Sequence, residues 1–120
     1  MWNIYAIQHN VTKRIYVGYT TRPIKFRFTA HIAALRRHKH PSKAMQTDFD
    51  EYGEDFTIIN LESGDEETVR IGQKHYQLSS LKEKGWMKKL GTIENGYNNQ
   101  DCVAKKIIKS KAINFEDFIK

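Results

Sequence analysis

The chain has 120 residues, of which 39 % are hydrophobic and 12 % aromatic, and its mean hydropathy is −0.68. These values are typical of one globular domain and exclude fibrous and fully disordered chains. No run approaches the roughly 18 apolar residues of a membrane span, and the first residues lack the features of a signal peptide. The single cysteine, Cys102, excludes an intrachain disulfide and a cysteine-based zinc site. We therefore expect an intracellular protein without a membrane segment.

The charge is strongly asymmetric along the chain. The net charge is +6, but the first acidic residue is Asp48. Residues 1–47 carry nine basic side chains and no acidic one, so that segment stands at +9 and the remainder at −3. Such a one-sided field indicates a polyanionic partner, most often nucleic acid.

The first half of the chain predicts a hairpin followed by two helices. Residues 2–9 and 14–20 are rich in β-branched and aromatic residues and are separated by a polar turn. Pro23 suits the first turn of a helix that should run to about Arg37. A second helix is predicted from Ser42 to Tyr52, with Gly53 as its C-cap.

The second half predicts one more strand and one more helix. Residues 56–62 form the third strand, and a helix is expected from Asp65 to about Lys84, ending before Gly85. A loop is predicted at residues 96–99. The element order favours a small α/β domain with a three-stranded antiparallel sheet flanked by helices.

Two groups of residues could carry chemistry. If residue 9 pairs with residue 14 in the hairpin, Tyr5, Tyr16 and Gly18 share one face of the sheet. That face is either an aromatic surface covered by a helix or two hydroxyls beside a glycine that leaves room for a ligand. On the next helix, Arg27 and His31 flank an apolar stripe. They are either ordinary helix-surface residues or groups directed at a cleft above the sheet. The stripe consists of Ile24, Phe28, Ile32 and Leu35.

These residues, in this order and spacing, resemble the GIY-YIG endonuclease family. The resemblance covers about residues 2–99 and is closest to the nuclease domains of phage and intron-encoded homing endonucleases. The first motif, Asn3-Ile4-Tyr5, lacks only the leading glycine. The other matching positions are Tyr16-Val17-Gly18, Arg27, His31, His40, Gln46, Phe49, Tyr52-Gly53, Phe56, Leu61-Glu62, Tyr76 and Gly96-Tyr97-Asn98.

The resemblance implies metal-dependent hydrolysis of phosphodiester bonds in DNA. Tyr5 and Tyr16 would then activate the attacking water, which requires a lowered phenol pKa. Arg27 would clamp the scissile phosphate, and His31 would lie beside it as proton relay or phosphate ligand. Asn98 would bind phosphate or support the site, and His40 is a weaker member of the same cluster.

The resemblance also implies one Mg²⁺ or Mn²⁺ ion held by a glutamate three residues before an aromatic residue of the third helix. Counting back from Tyr76 places Gln73 there, and an amide lacks the charge that holds a hard cation. We therefore expect an inactivated glutamate-to-glutamine form that binds DNA without cleaving it. The alternative is a non-catalytic nucleic-acid-binding module with a native Gln73. An RNA-binding domain that stacks bases on Tyr5 and Tyr16 is a third possibility.

The expected partner is double-stranded DNA, bound by a monomer or a transient dimer in the cytoplasm, for instance of a phage-infected host. Residues 1–100 are the expected nuclease domain, and residues 101–120 a basic tail or linker. The candidate DNA-binding residues are Lys13, Arg14, Arg22, Lys25, Arg36, Arg37, Lys39, His40, Lys43 and Asn98.

Overall fold

The computed structural model describes residues 1–98 of the chain. Its strands are β1 (Trp2–His9), β2 (Ile15–Thr20), β3 (Phe56–Gly64), β4 (Thr68–Ile71) and β5 (Lys74–Gln77). Its helices are α1 (Ile24–Arg36), α2 (Lys43–Tyr52), α3 (Leu78–Leu90) and α4 (Thr92–Asn95). The predicted tail at 101–120 and Cys102 lie outside the described residues. Within residues 1–98, no helix has the length and apolar character needed to cross a membrane.

A three-stranded antiparallel sheet in the order β2-β1-β3 organises the fold. The predicted fold class is thereby confirmed. The predicted hairpin register is also confirmed, because Tyr5 pairs with Gly18 and Ile7 with Tyr16. The central strand β1 is paired on both edges, which explains why it is the most completely buried segment of the sheet.

The sheet separates two hydrophobic clusters, because successive residues of β1 point to opposite faces. Ile4 and Ala6 pack with Leu90, and Trp86 and Met87 of α3 cover this cluster. On the other face, Tyr5 and Ile7 pack against α1 and α2 through the buried side chains Ile32, Leu35, Ala44 and Met45. The predicted apolar stripe of α1 therefore faces the sheet, with its half-buried residues Ile24 and Phe28 in the same cluster.

The first two helices begin and end close to the predicted positions. In α2, the Ser42 side chain accepts a hydrogen bond from the Met45 backbone N–H at 3.3 Å, which caps the first turn. Gly53 follows the helix with φ of 87°, a left-handed conformation that favours glycine.

The predicted helix from Asp65 to Lys84 is wrong in its first half. The chain forms the separate β4–β5 hairpin there, and α3 starts only at Leu78. Gly72, at φ of 63°, makes the tight turn between the strands. The Glu66 carboxylate accepts hydrogen bonds from the Ser79 backbone N–H and hydroxyl, which sets the start of α3.

The end of α3 also differs from the prediction. The helix continues through Gly85 and ends at Gly91, which takes the left-handed conformation at φ of 63°. The short helix α4, absent from the sequence prediction, follows directly and leads into the predicted loop. Asn99 of that loop lies outside the described residues.

Candidate active site

A cavity of about 480 Å³ opens between the hairpin, α1 and α3. Its walls come from segments distant in sequence, namely β2, α1, residues 40–42 before α2, α3 and residues 97–98. Side chains with chemical function line it in one place, namely Tyr16, Arg27, His31, His40, Glu83 and Asn98. Three predicted catalytic residues, Tyr16, Arg27 and His31, line the cavity, and a fourth, Tyr5, lies directly behind its wall. The fifth, Gln73, lies elsewhere.

Tyr5 is fully buried behind this wall and does not line the cavity. Its ring lies against Gly18, where an added Cβ would overlap the Tyr5 ring carbon Cζ and hydroxyl oxygen. Of the two alternatives for this face, the one in which Gly18 leaves room for a ligand is wrong, because the Tyr5 ring fills that space. Tyr5 reaches the site only through its hydroxyl, whose oxygen Oη lies 2.9 Å from Nε2 of His31.

Tyr16 is half-buried and faces the cavity. Its ring centroid lies 6.3 Å from that of Tyr5 and 4.8 Å from that of His31. Burial raises the pKa of Tyr16 to about 12 and also raises the pKa of Tyr5, which Arg27 opposes. The protein by itself therefore does not lower the phenol pKa values, in contrast to what a base role requires.

Arg27 projects from α1 toward both tyrosines. The neighbouring Tyr5 hydroxyl raises the pKa of the guanidinium, which stays charged. Its Nε is buried and has no hydrogen-bond partner among residues 1–98. A buried donor without an acceptor is costly, and a phosphate oxygen in the cavity would satisfy it.

His31 and His40 are buried and stacked, with Nδ1 of His31 2.7 Å from Nε2 of His40. Burial, the neighbouring His40 and Arg27 together lower the pKa of His31 to about 3. Burial also lowers the pKa of His40. Both rings are therefore neutral at pH 7 and neither contributes charge toward an anion.

Glu83 of α3 is the carboxylate of the cavity, and Gln73 is not part of it. Gln73 is exposed at the turn of the β4–β5 hairpin. The prediction that residue 73 lies in the third helix is wrong, because α3 begins only at Leu78. Burial raises the pKa of Glu83, and the Glu83 charge raises the pKa of both tyrosines across the cavity.

A sequence signal for Glu83 existed but was applied to the wrong aromatic residue. Glu83 lies three residues before Trp86, the same spacing that was counted back from Tyr76. Trp86 packs against the core and donates a hydrogen bond from Nε1 to Glu62 at 3.0 Å, which anchors this turn of α3. Because the cavity contains Glu83, the glutamine at position 73 gives no structural reason to expect an inactivated chain.

The donor set fits one hard divalent cation only in combination with substrate. Within residues 1–98 no group of three or more His, Cys, Asp or Glu side chains could enclose a metal ion. Magnesium, however, is commonly bound by one or two carboxylates together with water and substrate phosphates. The half-buried Glu83 carboxylate in a cavity that also contains Arg27 matches that pattern.

Several predicted DNA-binding residues have partners within the protein. Arg14 forms an ion pair with Asp48 at 2.6 Å, and Arg36 one with Glu54 at 2.6 Å. Asn98 bonds both backbone groups of Val17 at 2.8 Å, so it fixes the loop to β2. His40 belongs to the buried histidine pair. The predicted residues that are exposed are Lys13, Arg22, Lys25, Arg36, Arg37, Lys39 and Lys43, of which Arg36 forms the ion pair with Glu54.

Sequence reasoning missed the buried Asp48. Its carboxylate accepts hydrogen bonds from Thr12 at 2.9 Å, Arg14 at 2.6 Å and the Tyr97 hydroxyl at 2.6 Å. Through these hydrogen bonds, Asp48 connects α2 to the turn between β1 and β2 and to the loop that contains Tyr97 and Asn98. The sequence signal was only that Asp48 is the first acidic residue after a long basic segment.

Comparison with known proteins agrees with this geometry. The model of the GIY-YIG catalytic domain matches residues 1–101. The chain is similar to the catalytic domain of homing endonuclease I-TevI, with 25 % identity, a TM-score of 0.67, and coverage of 82 % of this chain and 98 % of that one. A glutamate-to-alanine mutant of that domain matches at 25 % identity and a TM-score of 0.66, covering 86 % and 98 %. A search of curated proteins finds no match.

Proposed function

This chain belongs to the GIY-YIG family, and from that premise we propose that it is an active DNA endonuclease that hydrolyses phosphodiester bonds with one divalent metal ion. The observation that carries the proposal is the convergence of Tyr16, Arg27 and Glu83 on one cavity. A phenol, a fixed cation and a carboxylate meet the three needs of the reaction, which are an activated water, stabilised phosphate charge and a metal ligand.

Arg27 is the group we assign to the scissile phosphate. Its charge does not titrate in the working range, and its buried Nε lacks an acceptor within residues 1–98. Negative charge grows on the phosphate oxygens as water attacks, so a fixed donor in a partly enclosed cavity stabilises the transition state more than the ground state.

Tyr16 is the phenol we assign to the water, because it lines the cavity whereas Tyr5 does not. As a phenolate, its Oη would accept a proton from the attacking water. Its pKa of about 12 leaves little phenolate at pH 7, so bound substrate and cation must favour the charged form. Tyr5 supports this group from behind the wall.

Glu83 would hold the Mg²⁺ or Mn²⁺ ion, which, when bound, supplies positive charge to the phosphate oxygens and makes a coordinated water more acidic. Burial raises the pKa of this carboxyl group and so disfavours its charged form. Cation binding would compensate the charge that burial disfavours.

The proposed substrate is double-stranded DNA, and the exposed basic residues of the first 47 positions are the proposed backbone contacts. Lys39 and Lys43 lie on either side of His40 and Ser42, which border the cavity. One cavity of this size acts on one strand per encounter, so a monomer should nick DNA. Cutting both strands requires reorientation or a transient dimer.

A plasmid-nicking assay with Mg²⁺ or Mn²⁺ tests the proposal. The unchanged protein should convert supercoiled to open-circular DNA. Glu83→Gln and Arg27→Ala should each lower the rate by about 10²-fold or more. Gln73→Glu is the matched control, since residue 73 lies outside the cavity, and it should leave the rate unchanged.

Two results would contradict the proposal. If the folded, unchanged protein binds duplex DNA but does not nick it with either metal, the chain is a binding module that kept the fold. If Gln73→Glu creates cleavage that the unchanged chain lacks, position 73 and not position 83 serves the metal.

A further inference from the structure

A chain of hydrogen bonds runs from the N-cap of α2 to the buried phenol of the site. The Ser42 backbone N–H donates to Nδ1 of His40 at 3.0 Å. Nε2 of His40 lies 2.7 Å from Nδ1 of His31, and Nε2 of His31 lies 2.9 Å from the Tyr5 hydroxyl oxygen. All four residues are less than 9 % exposed, so water does not compete for these contacts.

The direction of the whole chain follows from its first bond. A backbone N–H can only donate, so Nδ1 of His40 must be unprotonated. Because buried His40 is neutral, it carries its proton on Nε2 and donates it to Nδ1 of His31. Neutral His31 then carries its own proton on Nε2 and donates it to Tyr5.

The Tyr5 oxygen is thereby the acceptor at the end of the chain. Its oxygen accepts from His31 and interacts with Arg27, and a guanidinium has donors only. The Tyr16 ring lies nearby, with its centroid 6.3 Å from that of Tyr5. The donors of Ser42, His40 and His31 therefore all point along the chain toward the Tyr5 oxygen.

We propose that His40 is a positioning residue that, together with the Ser42 backbone, holds His31 as a hydrogen-bond donor to the buried Tyr5 hydroxyl. His31 in this arrangement does not remove the proton of Tyr5. Tyr5 is itself a positioning residue behind the cavity wall, and the hydrogen bond donated by His31 favours the charged form of this phenol. Aligned hydrogen bonds also strengthen one another. The catalytic consequence rests on the proposed endonuclease function.

The proton positions can be measured on the unchanged protein. Nitrogen-15 NMR of the imidazole rings at pH 7 distinguishes the two neutral tautomers and the charged ring. We expect His31 and His40 both to be neutral with the proton on Nε2. A proton on Nδ1 of His31, or a charged His31, would overturn the proposal without any variant.

Two variants of equal side-chain length separate positioning from packing. In His40→Gln the amide can still donate to Nδ1 of His31, whereas in His40→Glu the carboxylate can only accept. We expect Gln to preserve the His31 tautomer and to keep the nicking rate within about fivefold, and Glu to place a proton on Nδ1 and lower the rate by about 10²-fold. Equal losses in both variants, with unchanged His31 spectra, would mean that His40 only packs.

Failure of the proposed function gives a different result. If the unchanged protein does not nick DNA, the endonuclease assignment falls, while the spectra still decide the direction of the hydrogen bonds. Thermal unfolding of each variant confirms that it is folded before its rate is compared. Should either variant fail to fold, the spectrum of the unchanged protein decides the proposal.

Discussion

The ring of Tyr5 lies against Gly18 of the neighbouring strand, in space that any side chain at position 18 would occupy. The glycine is therefore required by the protein's own tyrosine and not by a ligand. This contact places the Tyr5 hydroxyl beside His31 and behind the cavity wall. The pairing of β1 with β2 thus determines how deeply the Tyr5 side chain is buried.

The first prediction concerns this contact. In Gly18→Ala the new methyl group overlaps the Tyr5 ring, which is held between two strands and α1 and cannot move freely. We expect a loss of about 1–3 kcal/mol in the free energy of unfolding. Chemical denaturation measures it. Gly85→Ala is the control, because nothing lies near that position, and it should be neutral or stabilising. Equal effects at the two glycines would contradict the contact.

The second prediction concerns the pH dependence of cleavage. Burial raises the pKa of Tyr16 to about 12, so the phenolate fraction rises about tenfold per pH unit below the pKa that applies with substrate bound. Single-turnover nicking at saturating metal should therefore accelerate from pH 6 upward. Tyr16→Phe should abolish this rise, whereas Tyr5→Phe should lower the rate and retain a rising profile. A flat profile in the unchanged protein would exclude a phenol base.

The third prediction concerns stability in acid. The pKa of His31 is lowered to about 3 in the folded protein, whereas it is about 6.5 in an unfolded chain. Between these values the unfolded state binds more protons, so stability falls as pH falls through this window, by up to about 1.4 kcal/mol per pH unit. Denaturation curves at pH 7, 5 and 4 measure the slope. His31→Gln removes the titrating group and should flatten it. An unchanged slope in that variant would place the acid sensitivity elsewhere.

The fourth prediction concerns the buried carboxylate. Asp48→Ala removes the acceptor of both Arg14 and Tyr97 and leaves a partly buried cation without its partner. We expect a loss of about 3–5 kcal/mol. Asp50→Ala on the same helix is the control. Its carboxylate is exposed and pairs with exposed His38, so its loss should cost less than about 1 kcal/mol. Comparable losses would show that burial does not strengthen the Asp48 network.

The sequence alone determined the elements whose signals are local. Two runs rich in β-branched and aromatic residues, separated by a four-residue polar turn, predict the β1–β2 hairpin. A slip of one residue would move each β1 side chain to the other face of the sheet. The helical spacing of Ile24, Phe28, Ile32 and Leu35 specifies which side of α1 faces the sheet, and hence that Arg27 and His31 lie at its edge.

Only the tertiary structure decided where the carboxylate of the site comes from. In the sequence, either Tyr76 or Trp86 could be the aromatic residue that follows the expected glutamate by three positions. Choosing between them requires knowing where α3 begins. That start depends on the contact of Glu66 with Ser79, thirteen positions apart, and on a hairpin that has no helical or strand pattern long enough to recognise. The different depths of Tyr5 and Tyr16 likewise arise from packing of α1 and α3 around the sheet, and non-local packing of this kind has no signature in spacing along the chain.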